Sequence, residues 1–238
     1  MSRIIKTADR VSQFAEKNLK NKKEFGEDAR LAFKRHLNDL KRSEKNDPEF
    51  PYIFVPEKAE DIIELANKLT IAEGEGNETF TCAGFQEFIL GSLFGWVHKE
   101  TGKRRFTDSY VQVARQQGKS VLNAILGIKC SNFDNYNYAQ IYCTATKQDQ
   151  ARIVLNEISK FINADADLQE LFEIKDYKSE IIAKLTNAVI RALGRDTKSI
   201  DGFRPYLGIV DEYHAHKDNQ MYKLLKGCLL YTSPSPRD

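Results

Sequence analysis

The chain has 238 residues, enough for one well-packed core with a small accessory segment, and its 41% hydrophobic and 29% charged content is that of an ordinary globular protein. A net charge of +2 is too near balance to argue for nucleic acid by itself, and no apolar run approaches the ~20 residues that a bilayer span needs. No secretory signal opens the chain, and Cys82, Cys130, Cys143 and Cys228 lack CxxC spacing, which points to reduced thiols rather than a disulfide framework or a zinc site.

Residues 1–47 are polar and carry a modest excess of Lys and Arg, which a solvated helical face explains as well as a binding surface does. Val11 and Phe14, then Leu31, Phe33, Leu37 and Leu40, have helical spacing, so two amphipathic helices are predicted, broken near residues 21–26 and stopped at Asp47-Pro48. Residues 52–55 precede Pro56 and read as extended. Residues 57–70 keep close to a 3.6 period through Ala59, Ile62, Ile63, Leu65, Ala66 and Leu69, which predicts a third helix. Residues 74–77 form a loop, and the expected division follows it: a helical N-terminal segment over 1–78 and a catalytic core over 79–227.

Residues 85–96 read F-Q-E-F-I-L-G-S-L-F-G-W, a largely apolar helix with Gln86 in its first turn. A glutamine there faces water as readily as it recognises a ligand. Thr101-Gly102-Lys103 marks a turn. Residues 110–114 alternate like a short buried strand and run into Arg115-Gln116-Gln117-Gly118-Lys119-Ser120, after which residues 121–128 are apolar at helical spacing. Strand, glycine turn with Gly-Lys-Ser, then helix is the layout of a phosphate loop, or Walker A motif. Glycine lets the backbone approach phosphate, and the amides of the helix start form an anion nest. Lys119 can reach the β- and γ-phosphates of ATP, and the Ser120 hydroxyl can ligate Mg²⁺. Val113 stands where the usual pattern has its first glycine, so a plain helix start is the competing reading. Arg115 can brace a γ-phosphate through two N–H groups or make a surface salt bridge.

Residues 139–144 are a second strand, leading through Thr-Lys-Gln-Asp-Gln into a helix that runs to about residue 162. Residues 180–185 and 188–193 read as a hairpin or edge strands, and residues 195–205 as a loop. Residues 206–210 form a third buried strand ending in Asp211-Glu212, a Walker B arrangement. Strands alternating with helices predict an α/β fold: a mainly parallel sheet flanked by helices, of the P-loop NTPase (ASCE) type, preceded by a helical N-terminal segment. Ligands of such sheets bind beyond the strands' carboxyl ends, where both the loop and the acids fall. Asp211 is then an anchor for Mg²⁺ together with Ser120, and Glu212 can orient or deprotonate the attacking water. His214 and His216 lack a third metal ligand, so a histidine hydrogen-bonded beside the acids is the preferred reading. A helix is expected over 219–226. Residues 228–238, C-L-L-Y-T-S-P-S-P-R-D, match nothing before them and read as a disordered tail or, in preference, a non-native adaptor-derived scar.

Four motifs in order over residues 52–217, F-Q-E-F-I-L-G-S-L-F-G-W, V-A-R-Q-Q-G-K-S, T-A-T-K-Q-D-Q-A and D-G-F-R-P-Y-L-G-I-V-D-E-Y-H-A-H-K, resemble the large terminase subunit of tailed bacteriophages. The resemblance implies a phosphate loop that departs from the usual glycine pattern and carries an arginine at Arg115. It also implies an adenine-reading glutamine at Gln86, phosphate and Mg²⁺ contacts from Lys119 and Ser120, an acidic metal position at Asp211 and a catalytic glutamate at Glu212. The expected function is an ATPase that drives double-stranded viral DNA into a procapsid. It would work as a homo-oligomeric ring on the portal protein with a small terminase subunit, in the host cytoplasm, off the membrane and absent from the mature virion. The family's nuclease domain and coupling motif find no counterpart after Lys226, so the chain is expected to be a truncated ATPase portion. A helicase-like DNA translocase and a nucleotide-dependent scaffold are the alternatives; Arg191 and Arg195 are candidates for an arginine acting on a neighbouring subunit.

Overall fold

The computed structural model describes residues 9–73, 76–146, 148–193, 205–216 and 218–228. These residues divide into two units, one of Met1–Lys68 with Phe80–Tyr110, the other of Leu69–Thr79 with Val111–Asp238. The division differs from the expected boundary after residue 78. The reason lies in the apolar run after Ala83. That helix is apolar on nearly every face and buries itself among the N-terminal helices.

In the first unit, α1 (Arg10–Asn18) begins at Asp9, whose carboxylate accepts from the Ser12 amide. After it come α2 (Glu27–Glu44), β1 (Tyr52–Phe54), α3 (Pro56–Lys68), α4 (Gly84–Gly95) and β4 (Trp96–His98), which pairs antiparallel with β1. Trp96 therefore opens a strand rather than closing a helix. Gly91 lets α4 lie against α1 and α3, because a Cβ there would stand 2.4 Å from Val11 Cγ2 and 3.2 Å from Ile63 Cδ1. Phe14, Phe25, Phe33 and Phe88 meet edge-on or tilted, with centroids 4.8–6.2 Å apart.

His36 is enclosed by this aromatic core. Trp96 Nε1 donates to His36 Nδ1 at 3.0 Å, so the ring proton sits on Nε2, which donates to Ser12 Oγ at 3.0 Å. Burial pulls the imidazole pKa down to about 4, with the charges of Asp9 and Asp39 pulling upward and those of Arg35 and Arg105 downward. The ring is neutral when folded and takes a proton near its ordinary value of 6.5 when unfolded. The unfolded chain thus binds more protons between pH 6.5 and 4, and stability falls on acidification through that window by about 3 kcal/mol, then levels off. Urea midpoints taken from pH 7 to pH 4 should show this slope, and His36→Asn should remove most of it.

In the second unit, β2 (Thr70–Glu73) and β3 (Gly76–Thr79) pair antiparallel, so that residues 76–77 of the expected loop belong to a strand while 74–75 lie outside the described residues, and β2 packs on α6 (Gln148–Ala164). The sheet has the order β6 (Phe172–Lys175), β7 (Glu180–Ala183), β8 (Ala188–Leu193), β5 (Gln140–Thr144), β9 (Pro205–Val210). It is mixed. β5 pairs parallel with β8 and β9, while β6, β7 and β8 are antiparallel, with Thr186-Asn187 in the expected hairpin turn. The α/β class holds, with the parallel pairing confined to β8, β5 and β9, of which β5 and β9 reach the candidate site.

Side chains alternate across the sheet. Ile141, Ile190 and Ile181 lie abreast and are fully buried on the face that α5 (Lys119–Asn132) and α6 cover. Tyr142, on the other face, clusters with Met221 and Leu225 of α8 (Gln220–Cys228). The strand expected at residues 110–114 does not form: among the described residues it joins no ladder, and an alternating pattern without a hydrogen-bonding neighbour stays irregular. The helix after it starts at Lys119, before the apolar run. Residues 194–204 and 229–238, which include Arg195, the expected loop and most of the proposed tail, lie outside the described residues. Cys82, Cys130 and Cys143 are buried, and among the described residues none of them is in a disulfide. Among the described residues no helix is long and apolar enough to cross a membrane.

Candidate functional site

Two chain turns meet at the carboxyl end of the parallel strands. The first opens α5. Gln116 has φ 62° and Gly118 φ 71°, ψ 26°, a left-handed conformation that glycine adopts without penalty. Gly118 supplies no side-chain cap, so α5 begins with amides capped by no side chain, and its first backbone bond runs from the Leu122 amide to Gly118 O at 2.9 Å. Such a helix start attracts anions through aligned N–H groups and the helix dipole. Arg115, Gln116 and Gln117 are exposed on the turn, while Gly118, Lys119 and Ser120 are half-buried.

The second turn ends β9. The Asp211 amide donates to Thr144 O at 2.9 Å, and Thr144 Oγ1 donates to Ile209 O at 3.3 Å, so the last residue of β5 ties down the end of β9. Asp211 is 7% exposed. Glu212 follows at φ 48°, ψ 44°, left-handed and non-glycine, with its amide donating to Asp211 Oδ1 at 3.0 Å. A backbone held this way costs about 1–3 kcal/mol, and such outliers cluster where a side chain must be aimed.

Lys119 joins the turns. Its Nζ donates to Glu212 Oε1 at 2.6 Å and stands 3.4 Å from Asp211 Oδ1. The bond to Glu212 raises the lysine above its ordinary pKa, against the opposing effect of burial and with help from the Asp211 charge. The same bond holds Glu212 below the usual carboxylate range, with burial opposing and Lys119, His214 and Arg115 adding charge. His214 Nε2 lies 3.4 Å from Glu212 Oε2. Behind the pair, burial and then the Asp211 charge push the Cys143 thiol up to about 12, so this cysteine stays protonated and unreactive.

Lys119, Asp211 and Glu212 are thus brought together, with Arg115 near enough to act on Glu212 by charge. Gln86 belongs to the first unit. It is 5% exposed, and its Oε1 accepts from the Ala83 amide at 2.9 Å, closing the start of α4. Arg191, a candidate for action on a neighbour, is committed to Glu180 on the adjacent strand at 2.7 Å. Among the described residues no three His, Cys, Asp or Glu gather to hold a metal. Mg²⁺ takes one or two protein oxygens and completes its shell with phosphate and water. A glycine-turn helix start facing one buried and one half-buried acid fits a phosphate group with its cation. Thr144 was not foreseen, and only the T-A-T run at a strand end hinted at it.

A family described as "Terminase large subunit, ATPase domain" matches residues 84–234, from the start of α4 into the stretch set aside as a tail. The large terminase subunit of Enterobacteria phage HK97 is 31% identical over 105 residues, which is 43% of this chain and 20% of that protein. The crystal structure of the HK97 bacteriophage large terminase superposes with a TM-score of 0.63 at 22% identity, covering 72% of this chain and 35% of that one; the likeness is one of fold. The chain spans about a third of that solved structure and about a fifth of the curated relative.

Proposed function

Because the chain belongs to the ATPase-domain family of terminase large subunits, we propose that it binds ATP with Mg²⁺ at the Gly118 turn and hydrolyses it as part of a viral DNA-packaging motor. The observation that carries this reading is Lys119, whose ammonium lies within 3.4 Å of both acids that follow β9. A cation-binding, proton-accepting pair beside an uncapped helix start is an arrangement for phosphoryl transfer to water.

Bound Mg-ATP supplies the γ-phosphoryl group and a cation that neutralises charge on its oxygens. The α5 amides and Lys119 would hold the phosphates, with the exposed Arg115, Gln116 and Gln117 along their edge. Ser120 Oγ and the Asp211 carboxylate would hold the cation. Lys119 cannot serve phosphate and Glu212 equally, so binding would release Glu212 Oε1 to accept a proton from water. Arg115 would brace the terminal phosphate. The adenine-reading role of Gln86 belongs to the same proposal and rests on the sequence resemblance.

At the level of the whole protein, the proposed partners are double-stranded viral DNA, the portal protein and procapsid, a small terminase subunit and further copies in a ring. The proposed location is the host cytoplasm, transiently at the portal. The endonuclease expected of the family is assigned to no residue of this chain.

The test is a titration with a fluorescent ATP analogue and Mg²⁺. Saturable binding is expected, weakened about 10–100-fold by Lys119→Ala, the loss of one or more charge-assisted hydrogen bonds. Equal affinity in both proteins would remove the loop from the site.

A further inference from the structure

The two carboxylate oxygens of Glu212 face different partners, one in a short hydrogen bond and the other at a longer distance. Oε1 is held by Lys119, which arrives from the start of α5. Oε2 faces His214 Nε2 at 3.4 Å, two residues further along the same turn. Taking Glu212 as the base, as proposed above, we infer that His214 is the positioning residue that keeps its carboxylate aimed after Lys119 has turned to phosphate.

The turn is built to hold the imidazole in place. Glu212 caps a single 3-10 turn, Tyr213–Ala215, closed by bonds from the Ala215 amide to Glu212 O at 2.8 Å and from the His216 amide to Tyr213 O at 3.2 Å. Tyr213 anchors it: its Oη donates to Asn219 Oδ1 at 2.8 Å and its ring meets Tyr222 of α8 edge-on at 6.1 Å. His214 therefore rides on a fixed support, while Lys119 reaches Glu212 across the chain from another element.

The 3.4 Å separation is long for a hydrogen bond, as expected while Lys119 holds the other oxygen, and it has room to shorten once that hold is released. The donor on Nε2 serves in either the charged ring or the neutral ring protonated there. A carboxylate tethered at one oxygen keeps its direction with the other oxygen free for water. Without the tether it rotates about its terminal torsion, which is broad for glutamate.

The His214 side chain is 76% exposed, so removing it leaves no cavity and should not unfold the chain. In the full chain, His214→Ala should lower kcat about ten-fold or more, the usual effect of losing a partner that orients a reactive group. Nucleotide affinity should stay within about two-fold, since the ring touches no proposed phosphate or metal ligand. His214→Gln, whose amide can donate to the same oxygen, should recover most of the loss. In a Glu212→Gln background, His214→Ala should have no further effect. A parent-like kcat in His214→Ala, or an equal loss in the Glu212→Gln background, would overturn the assignment. A second readout needs no turnover. With a non-hydrolysable ATP analogue and Mg²⁺ bound, the ¹⁵N signal of His214 Nε2 should move on Glu212→Gln, and an unmoved signal would show that ring and carboxylate do not meet. Unchanged turnover in Glu212→Gln itself removes the base and the function reading, whereas the imidazole signal reports the contact independently.

Discussion

Replacement of Glu212 by glutamine should cut ATP turnover by about 10²–10⁴-fold, the range for loss of a general base. The change keeps the shape of the side chain and removes only its charge and its capacity to take up a proton. The left-handed backbone at residue 212 is undisturbed, and so are the Asp211 contacts to Thr144 and to the Glu212 amide. Nucleotide affinity should hold or rise, because Lys119 loses the carboxylate that engages it at 2.6 Å and becomes more available to phosphate. Steady-state hydrolysis and analogue binding measured on one preparation separate the two effects. A normal kcat would leave the proton with some other acceptor, and weakened binding would mean that Glu212 supports the loop structurally.

The second large effect lies in the first unit. Asp39→Ala should destabilise it by about 3 kcal/mol or more, as expected when one partner of a buried ion pair is deleted. Arg105 Nη1 meets Asp39 Oδ2 at 2.7 Å, with both side chains largely removed from water. The guanidinium also lies 4.7 Å from the Phe50 ring centroid, 4.9 Å from Phe106, 5.1 Å from Tyr52 and 5.3 Å from Trp96. Deleting the carboxylate strands a cation among those rings. Their attraction, about 0.5–2 kcal/mol for a cation over an aromatic face, offsets only part of the loss. Asp39→Leu combined with Arg105→Met should recover most of the stability, since neither charge then remains buried. Urea unfolding at pH 7 measures all three proteins, and an unshifted midpoint in Asp39→Ala would rule the pair out as a stabilising contact.

Much of the candidate site could be read from the residues, because its chemistry sits in side chains at recognisable places. A glycine before Lys119 and an apolar strand before Asp211 are local signals, and the sheet brings their ends together. What escaped depends on partners distant in the chain. Thr144 acts partly through its carbonyl oxygen, which any residue would carry. His36 gives no local signal of its role, since the proton placement on its ring depends on Trp96, sixty positions away. Elements of different length also divide this way. α2 and α6 are long enough for periodicity to speak, whereas α7 (Ala166–Leu171) and β6 cover too few residues to repeat a pattern. At residues 110–114 the alternation was present and the strand was not, since pairing requires a neighbour that no local pattern encodes.

The chain passes between its two units at residues 68–69, 79–80 and 110–111, so neither unit is a continuous piece of sequence. Expression boundaries drawn at the start of the family match would begin with the first residue of α4, stripping away α1 and α3 and baring Phe88, Gly91 and Gly95 to solvent. Such a clone would be a candidate for inclusion bodies rather than for crystals. Proteolytic trimming from the amino end carries the same hazard, because a cut within α1 or α3 removes packing from a helix encoded after it.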